Sequence, residues 1–265
     1  MNLKSFNRLV QKRINEQGES LTVDGDFGPV SQRALEKYDV KLDVKRSVDV
    51  ESPPIGVITT GKDPDEGTEP WYRRMFAACK VVEGKEAQLA NTIRTIEKGM
   101  DQYFDVARRL RARDVQNFAY ILGAIHFKEA SCDFRGVLHN GEKIVGTDKK
   151  TTIVPKGRGP FATWADAAVD AIGIESSRWK KLIEGSQDIG DILYALERYN
   201  GTGYITGAGR EENSPYLWAC SNIGDGKGKY VSDGKFDSNA STGSSCGAAL
   251  ILKYVYDQGA FEVTV

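Results

Sequence analysis

The residues best placed to do chemistry lie in one stretch, Ala124-Ile-His-Phe-Lys-Glu129-Ala-Ser-Cys-Asp-Phe134, followed by Gly136-Val-Leu-His-Asn-Gly-Glu142. Glu129 stands out because of what precedes it. Phe118, Leu122 and Ile125 recur at helical spacing, and Glu129 falls next on that stripe. Ala119, Ile121, Ala124 and Phe127 cover much of the other side. A helix that is apolar nearly all round is buried, so Glu129 is a carboxyl delivered at the end of a buried helix. Burial disfavours the charged form and raises the pKa. A carboxyl that stays protonated near neutral pH can act as a general acid. The plainer alternatives are a carboxylate solvated at a helix end, or one paired with Arg135.

The other reactive side chains nearby allow fewer readings. His126 and His139 could hold zinc with Asp133, and Cys132 with His139 could form a thiol hydrolase. The chain has no HExxH pair and no CxxC pair. The expectation is therefore no metal and no cofactor, with His126 a satisfied core histidine. Cys79, Cys132, Cys220 and Cys246 are widely spaced and read as reduced core thiols; whether Cys220 and Cys246 meet is open at this level. Gly224-Asp-Gly-Lys-Gly-Lys229 fails the spacing of a phosphate loop and reads as a mobile loop near the cleft. Its Lys227 and Lys229, like Arg210, read as solvated charges that could also meet an anionic polymer.

The elements that must position these groups are mostly helical. Periodicity predicts helices over Trp71–Lys80, Glu83–Glu97, Gln102–Leu110 and Asp114–Ser131, with Asp114 as N-cap. Residues 132–161 are irregular to β, punctuated by Gly136, Gly141, Gly146, Gly157 and Gly159. A helix follows to Ile172, capped by Thr163 with Asp166 three residues on. Another runs over Ile189–Tyr199, capped by Asp188 and stopped by Asn200-Gly201. Residues 202–244 are rich in Gly, Ser, Asn and Asp, with embedded aromatics, and a small-residue helix over Cys246–Tyr256 closes the domain.

The amino-terminal part is different. Residues 3–17 read as an amphipathic helix. Val23-Asp-Gly-Asp-Phe-Gly-Pro-Val-Ser-Gln-Arg-Ala-Leu35 follows, with a turn at Asp24-Gly25 and Pro29 in the first turn of a second helix. A calcium loop starting at Asp24 would need an acid where Leu35 stands. Residues 39–69, with Pro53-Pro54 and the acidic cluster before Pro70, read as a linker that carries a short β-like piece over 55–60.

Two resemblances sit on these motifs. The segment through Leu35, after Leu9-Val-Gln11 and Ile14-Asn15, resembles the small three-helix peptidoglycan-binding module. In that family Asp24, Gly25, Phe27 and Gly28 would fix the turn between helices. The helix-terminal Glu129, with Leu138-His-Asn-Gly-Glu142, Thr151-Thr-Ile-Val-Pro-Lys-Gly-Arg-Gly-Pro-Phe161 and Glu197-Arg-Tyr-Asn-Gly201, resembles the lysozyme-like domains of phage endolysins over roughly residues 70–256. The resemblance implies a mainly α fold: an α+β lysozyme-like catalytic domain with a small β lobe over 132–161 (residues 70–265), a linker (51–69) and a small helical wall-binding module (1–50). It implies a muramidase that cleaves between N-acetylmuramic acid and N-acetylglucosamine, with Glu129 as acid. Glu142 is the favoured second group, Asp148 the other carboxyl, and Thr151 or Thr152 could hold the attacking water. His139, Asn140, Tyr199, Asn200 and Tyr230 would line the substrate cleft, the remaining aromatics Tyr204, Tyr216, Trp218 and Phe236 being weaker candidates. A lytic transglycosylase and a non-catalytic wall-binding protein remain the alternatives.

Composition bounds the partners. A formal net charge of −1 gives no global pull toward nucleic acid or anionic membrane. No signal-peptide core or transmembrane-length run is visible. The expected partner is peptidoglycan and the expected state a monomer. The protein would be held in the host cytoplasm until a holin-type pore admits it to the periplasmic wall.

Overall fold

The chain divides into two units, Met1–Lys62 and Asp63–Val265. A computed structural model describes residues 65–209, 212–224, 226–232 and 234–265. The expected wall-binding module, its residues Asp24, Gly25, Phe27 and Gly28, and nearly all of the linker lie outside the described residues.

The described part is mainly helical. Its elements in order are α1 (Glu69–Ala78), α2 (Glu86–Glu97), α3 (Met100–Arg109), α4 (Val115–Ala130), α5 (Trp164–Ile174), α6 (Ser176–Ile183), α7 (Ile189–Asn200), α8 (Pro215–Trp218), β1 (Lys227–Ser232), β2 (Lys235–Ser241) and α9 (Ala248–Asp257). Helix α4 is the hub, packing against α2, α3 and α9. From Asn117 to His126 every one of its residues is buried. Asp114 caps it, accepting a hydrogen bond from the Asn117 amide at 3.0 Å. Thr163 and Asp188 cap α5 and α7 in the same way, as their positions in the sequence require. Among the described residues no helix is long and apolar enough to cross a membrane.

The carboxyl-terminal tail closes the bundle. Asn117 Nδ2 donates to the Glu262 carbonyl, and the Glu262 amide donates back to Asn117 Oδ1. The Thr264 carbonyl accepts from the Ile189 amide at 3.0 Å. The tail thus ties the start of α4 to the start of α7.

Two features differ from what the sequence pattern suggests. The strands lie at 227–241 rather than in 132–161. The latter segment holds turns and one isolated bridge, Gly136 to Lys143. Its apolar residues Val137, Ile144 and Phe161 point into a small second core with Ala167 instead of alternating across a sheet. Left-handed Gly141, Gly146, Gly157 and Gly159 break any ladder. The β1–β2 hairpin pairs Tyr230 with Phe236, and both rings pack on Tyr204. Helices α6 and α8 also go beyond the periodic pattern. α6 is a short amphipathic piece that buries Trp179 and Leu182, and α8 is a single turn begun by Pro215.

The crossing of α4 over α2 and α3 leaves no room for a side chain at Gly123. A Cβ there would lie 2.5 Å from Ile96 Cγ2 and 3.2 Å from Tyr103 Cε2, and both neighbours are fully buried. Gly123→Ala is expected to cost about 1–3 kcal/mol by overpacking, despite the better helix propensity of alanine. Urea unfolding of the two proteins measures it. Equal midpoints would mean that the helices separate freely at this contact.

Candidate functional site

The site is built around the carboxyl end of α4. Ser131 and Cys132 both adopt left-handed backbone, with φ of 51° and 59°, and the Ser131 and Cys132 amides cap the Phe127 and His126 carbonyls. This double turn sends the chain back under the helix. The Asp133 carbonyl then meets His126 Nε2 at 3.1 Å, while Tyr103 Oη lies 2.9 Å from His126 Nδ1. A carbonyl can only accept, so Nε2 carries the proton and Nδ1 accepts from the tyrosine. Phe134 and Trp164 enclose the ring, with centroids 4.7 and 4.6 Å away. Burial lowers the His126 pKa to about 4, and the imidazole is neutral. His126 is a core clamp, in keeping with the plainer sequence reading.

Glu129 follows one turn on. Burial pushes its carboxyl up to about 7, against smaller downward pulls from the neighbouring Tyr216 hydroxyl and the Lys128 ammonium. Arg135 does not pair with it; that guanidinium holds Asp133, with Nη2 to Oδ2 at 2.7 Å. The Tyr216 hydroxyl is buried beside the carboxyl without a well-formed hydrogen bond to any described residue. Glu129 is thus a neutral acid up to about pH 7.

Glu142 is its electrostatic opposite. Its carboxylate accepts from the Thr152 amide at 2.9 Å, the Thr152 hydroxyl at 2.6 Å, the Ile153 amide at 3.1 Å and Asn140 Nδ2 at 2.8 Å. These donors, led by the Thr152 side chain, hold its pKa down to about 2. The two carboxyl-bearing segments touch. Gly141 packs so closely on α4 that a Cβ would fall 2.4 Å from the Glu129 carbonyl oxygen.

The other expected site residues separate into two groups. His139, Asn140, Thr151 and Tyr199 organise the loop. His139 has a fully buried side chain, with Nε2 2.9 Å from Asp170 and the ring stacked on Phe161. Asn140 bonds Glu142 and the Ile153 carbonyl. The buried Thr151 hydroxyl donates to the Pro155 carbonyl and accepts from the Arg158 amide. Tyr199 reaches across from α7 and donates to the Leu138 carbonyl at 2.5 Å. Asn200 and Tyr230, by contrast, line a cavity of about 650 Å³, together with Lys128, Tyr204, Tyr216 and Lys229. That volume is in the range of small-ligand sites. Neither Glu129 nor Glu142 is part of its lining; Lys128 and Tyr216, the immediate neighbours of Glu129, are.

Residues beyond the expected set also belong here. Glu197, one turn after Leu193 on the apolar face of α7, is 2% exposed, and burial raises its pKa to about 8. Its position on that stripe was the available signal. Lys128 sits half-buried on α4 and donates to Ser245 Oγ at 3.0 Å. Cys220 and Cys246 are buried free thiols brought together by the hydrogen bond from the Gly247 amide to the Ala219 carbonyl. Among the described residues no group of three or more metal-ligating side chains is assembled.

No protein family, curated protein or solved structure matches the chain.

The elevated Glu129 pKa has a thermodynamic signature. The folded state retains a proton that the unfolded chain releases, so stability contributed by this group is present below the unfolded value of 4.5 and is lost as pH rises to about 7. Glu129→Gln should therefore raise stability at pH 8.5 by about 2–3 kcal/mol and by much less at pH 4.5. Denaturant melts at both pH values measure this. An equal effect at the two values would place the carboxyl in water.

Proposed function

We propose that the chain is a peptidoglycan hydrolase of the lysozyme-like type that cleaves the glycan between N-acetylmuramic acid and N-acetylglucosamine. The observation that carries this reading is Glu129: a carboxyl kept neutral by burial at the end of a buried helix, its neighbours lining a ligand-sized cavity. Glycoside hydrolysis commonly needs one protonated carboxyl to protonate the leaving oxygen and one ionised group to stabilise the oxocarbenium-like centre or activate water. Glu129 near 7 and Glu142 near 2 have the divergent acidities that such a pair requires. Asn200, whose amide can both donate and accept, and Tyr230 supply polar and aromatic surface of the kind that holds N-acetylated sugars.

In this reading Glu129 Oε–H donates its proton to the glycosidic oxygen as the bond to the anomeric carbon breaks. Glu142 stays ionised on the loop packed against the end of α4 and would stabilise the developing positive charge from there. The N-terminal unit would hold the enzyme on the wall, raising its local concentration. The enzyme would act as a monomeric endolysin released through a holin-type pore.

One observation favours a second reading. The Glu142 carboxylate is already engaged by four donors, and the Thr151 and Thr152 hydroxyls donate to the Pro155 carbonyl and to Glu142. None of these groups is free to activate water. A lytic transglycosylase needs only the acid, because the 6-hydroxyl of the muramic residue displaces the leaving group, and Glu129 alone would suffice.

Mass spectrometry of fragments from purified peptidoglycan separates these readings. Reducing N-acetylmuramic ends are expected from the wild type, with activity falling as pH rises through about 7, because the acid must be protonated. Glu129→Gln should lose about 100-fold or more. Anhydro ends would establish the transglycosylase. Free stem peptides, or full activity in Glu129→Gln, would remove both readings. Deleting residues 1–50 should weaken co-sedimentation with intact sacculi; unchanged sedimentation would deny that segment a wall-binding role.

A further inference from the structure

The cavity beside Glu129 has a charge pattern that glycan hydrolysis alone does not require. Lys128 and Lys229 both line it, and no aspartate or glutamate is among its described lining residues. Around the two amines are neutral hydroxyl and amide groups, including those of Asn200, Ser244 and Ser245. Lys128 uses two of its N–H donors on Ser245 Oγ and the Cys246 carbonyl, at 3.0 and 3.4 Å, which leaves a third. It forms no ion pair among the described residues. Lys229 lies on β1, half-buried, with no hydrogen bond or ion pair to any described residue. Two ammonium groups from remote parts of the chain thus share one concave surface whose described lining holds no carboxylate; described acids beside them are Glu129, next to Lys128 in the chain, and Asp237, opposite Lys229 on β2. A ligand carboxylate placed between the two amines would complement both, which a neutral ligand would not.

We propose that this cavity is a carboxylate-recognising subsite, in which Lys128 and Lys229 together hold a carboxylate carried by the bound glycan. The proposal deepens the hydrolase reading and rests on it for the identity of the glycan. Two parts of peptidoglycan carry that chemistry: the lactyl group of an unsubstituted N-acetylmuramic residue, and the free carboxylates of a stem peptide. A chitin-type glycan, with the same N-acetyl sugars, has neither. Below about pH 7 Glu129 is mostly protonated and Lys128, whose pKa burial lowers to about 8, keeps its charge, so the site is positive in that range. The subsite therefore provides selectivity by charge, while Tyr204 and Tyr230 provide sugar-tolerant contact.

The test is a calorimetric titration of full-length Glu129→Gln protein, with and without Lys229→Ala. Lys229 is the informative position because it supports no other side chain, whereas Lys128 also ties α4 to the start of α9. The probes are the N-acetylglucosamine–N-acetylmuramic acid disaccharide, its lactyl amide, the same disaccharide bearing a stem peptide, and neutral N,N′-diacetylchitobiose. At least one carboxylate-bearing probe should bind about tenfold more tightly than the chitobiose, and Lys229→Ala should remove most of that preference. Tighter binding of the free acid than of its amide assigns the lactyl carboxylate; tighter binding only of the peptide-bearing form assigns the stem. The wall-binding segment is identical in both proteins, so only the change caused by Lys229→Ala counts. Equal affinities for all probes, or a preference that survives Lys229→Ala unchanged, would overturn the subsite. The hydrolase reading fails separately: a wild type that cleaves no glycan yet keeps the Lys229-dependent preference retains the subsite and loses the hydrolysis.

Discussion

The site depends first on a neutral imidazole sealed inside the bundle. His126 joins the Tyr103 hydroxyl of α3 to the Asp133 carbonyl beyond α4, within a cage completed by Phe134 and Trp164. Both ring nitrogens are satisfied, so burial carries no unpaired polar group. That bridge holds the left-handed turn at Ser131 and Cys132 in place. Greater exposure of Glu129, already partly accessible, would draw its pKa back toward the ordinary carboxylate range. The acid is thus made by packing one turn away from it.

The same helix end separates two carboxyls by environment. Glu129 is desolvated, with only Tyr216 and Lys128 drawing its pKa back. Glu142, across the Gly141 contact, is surrounded by amide and hydroxyl donors and stays ionised. Two residues of one type therefore occupy opposite protonation states between the low Glu142 value and about pH 7. The loop that bears Glu142 is fixed by partly buried polar links: His139 to Asp170, Thr151 to Pro155 and Tyr199 to Leu138. Several residues that look like substrate contacts in sequence serve to hold this loop still, which is what a preorganised site requires.

The cavity is assembled from the end of α4, the end of α7, the β hairpin and the segment before α9. Tyr230 joins these parts. Its hydroxyl donates to the Gly203 carbonyl and accepts from the Gly209 amide, while its ring packs against Gly203 so closely that a Cβ would fall 2.6 Å away. The hairpin is thereby fastened to the chain that leaves α7, and Lys229, one residue before Tyr230, comes to the same cavity as Lys128.

Local sequence pattern gives most of the helices, though not α6 or α8, the caps at Asp114, Thr163 and Asp188, and the delivery of Glu129 at the end of a buried helix. These are local properties, set by side-chain periodicity and by short polar groups that meet amides two or three residues on. It also marked His126 as a core residue, since a histidine on an apolar stripe is enclosed with it. The rest comes from long-range packing. The sheet moved from 132–161 to 227–241, because Val137, Ile144 and Phe161 found a core with Ala167 while Tyr230 and Phe236 found Tyr204. Whether Asn140, Thr151 or Tyr199 faces a cavity or a carbonyl depends on partners distant in sequence, as does the meeting of Cys220 with Cys246. The pairing of Lys128 with Lys229 across one cavity has the same origin: each is an unremarkable charge in its own segment, and only long-range packing gives the two a common surface.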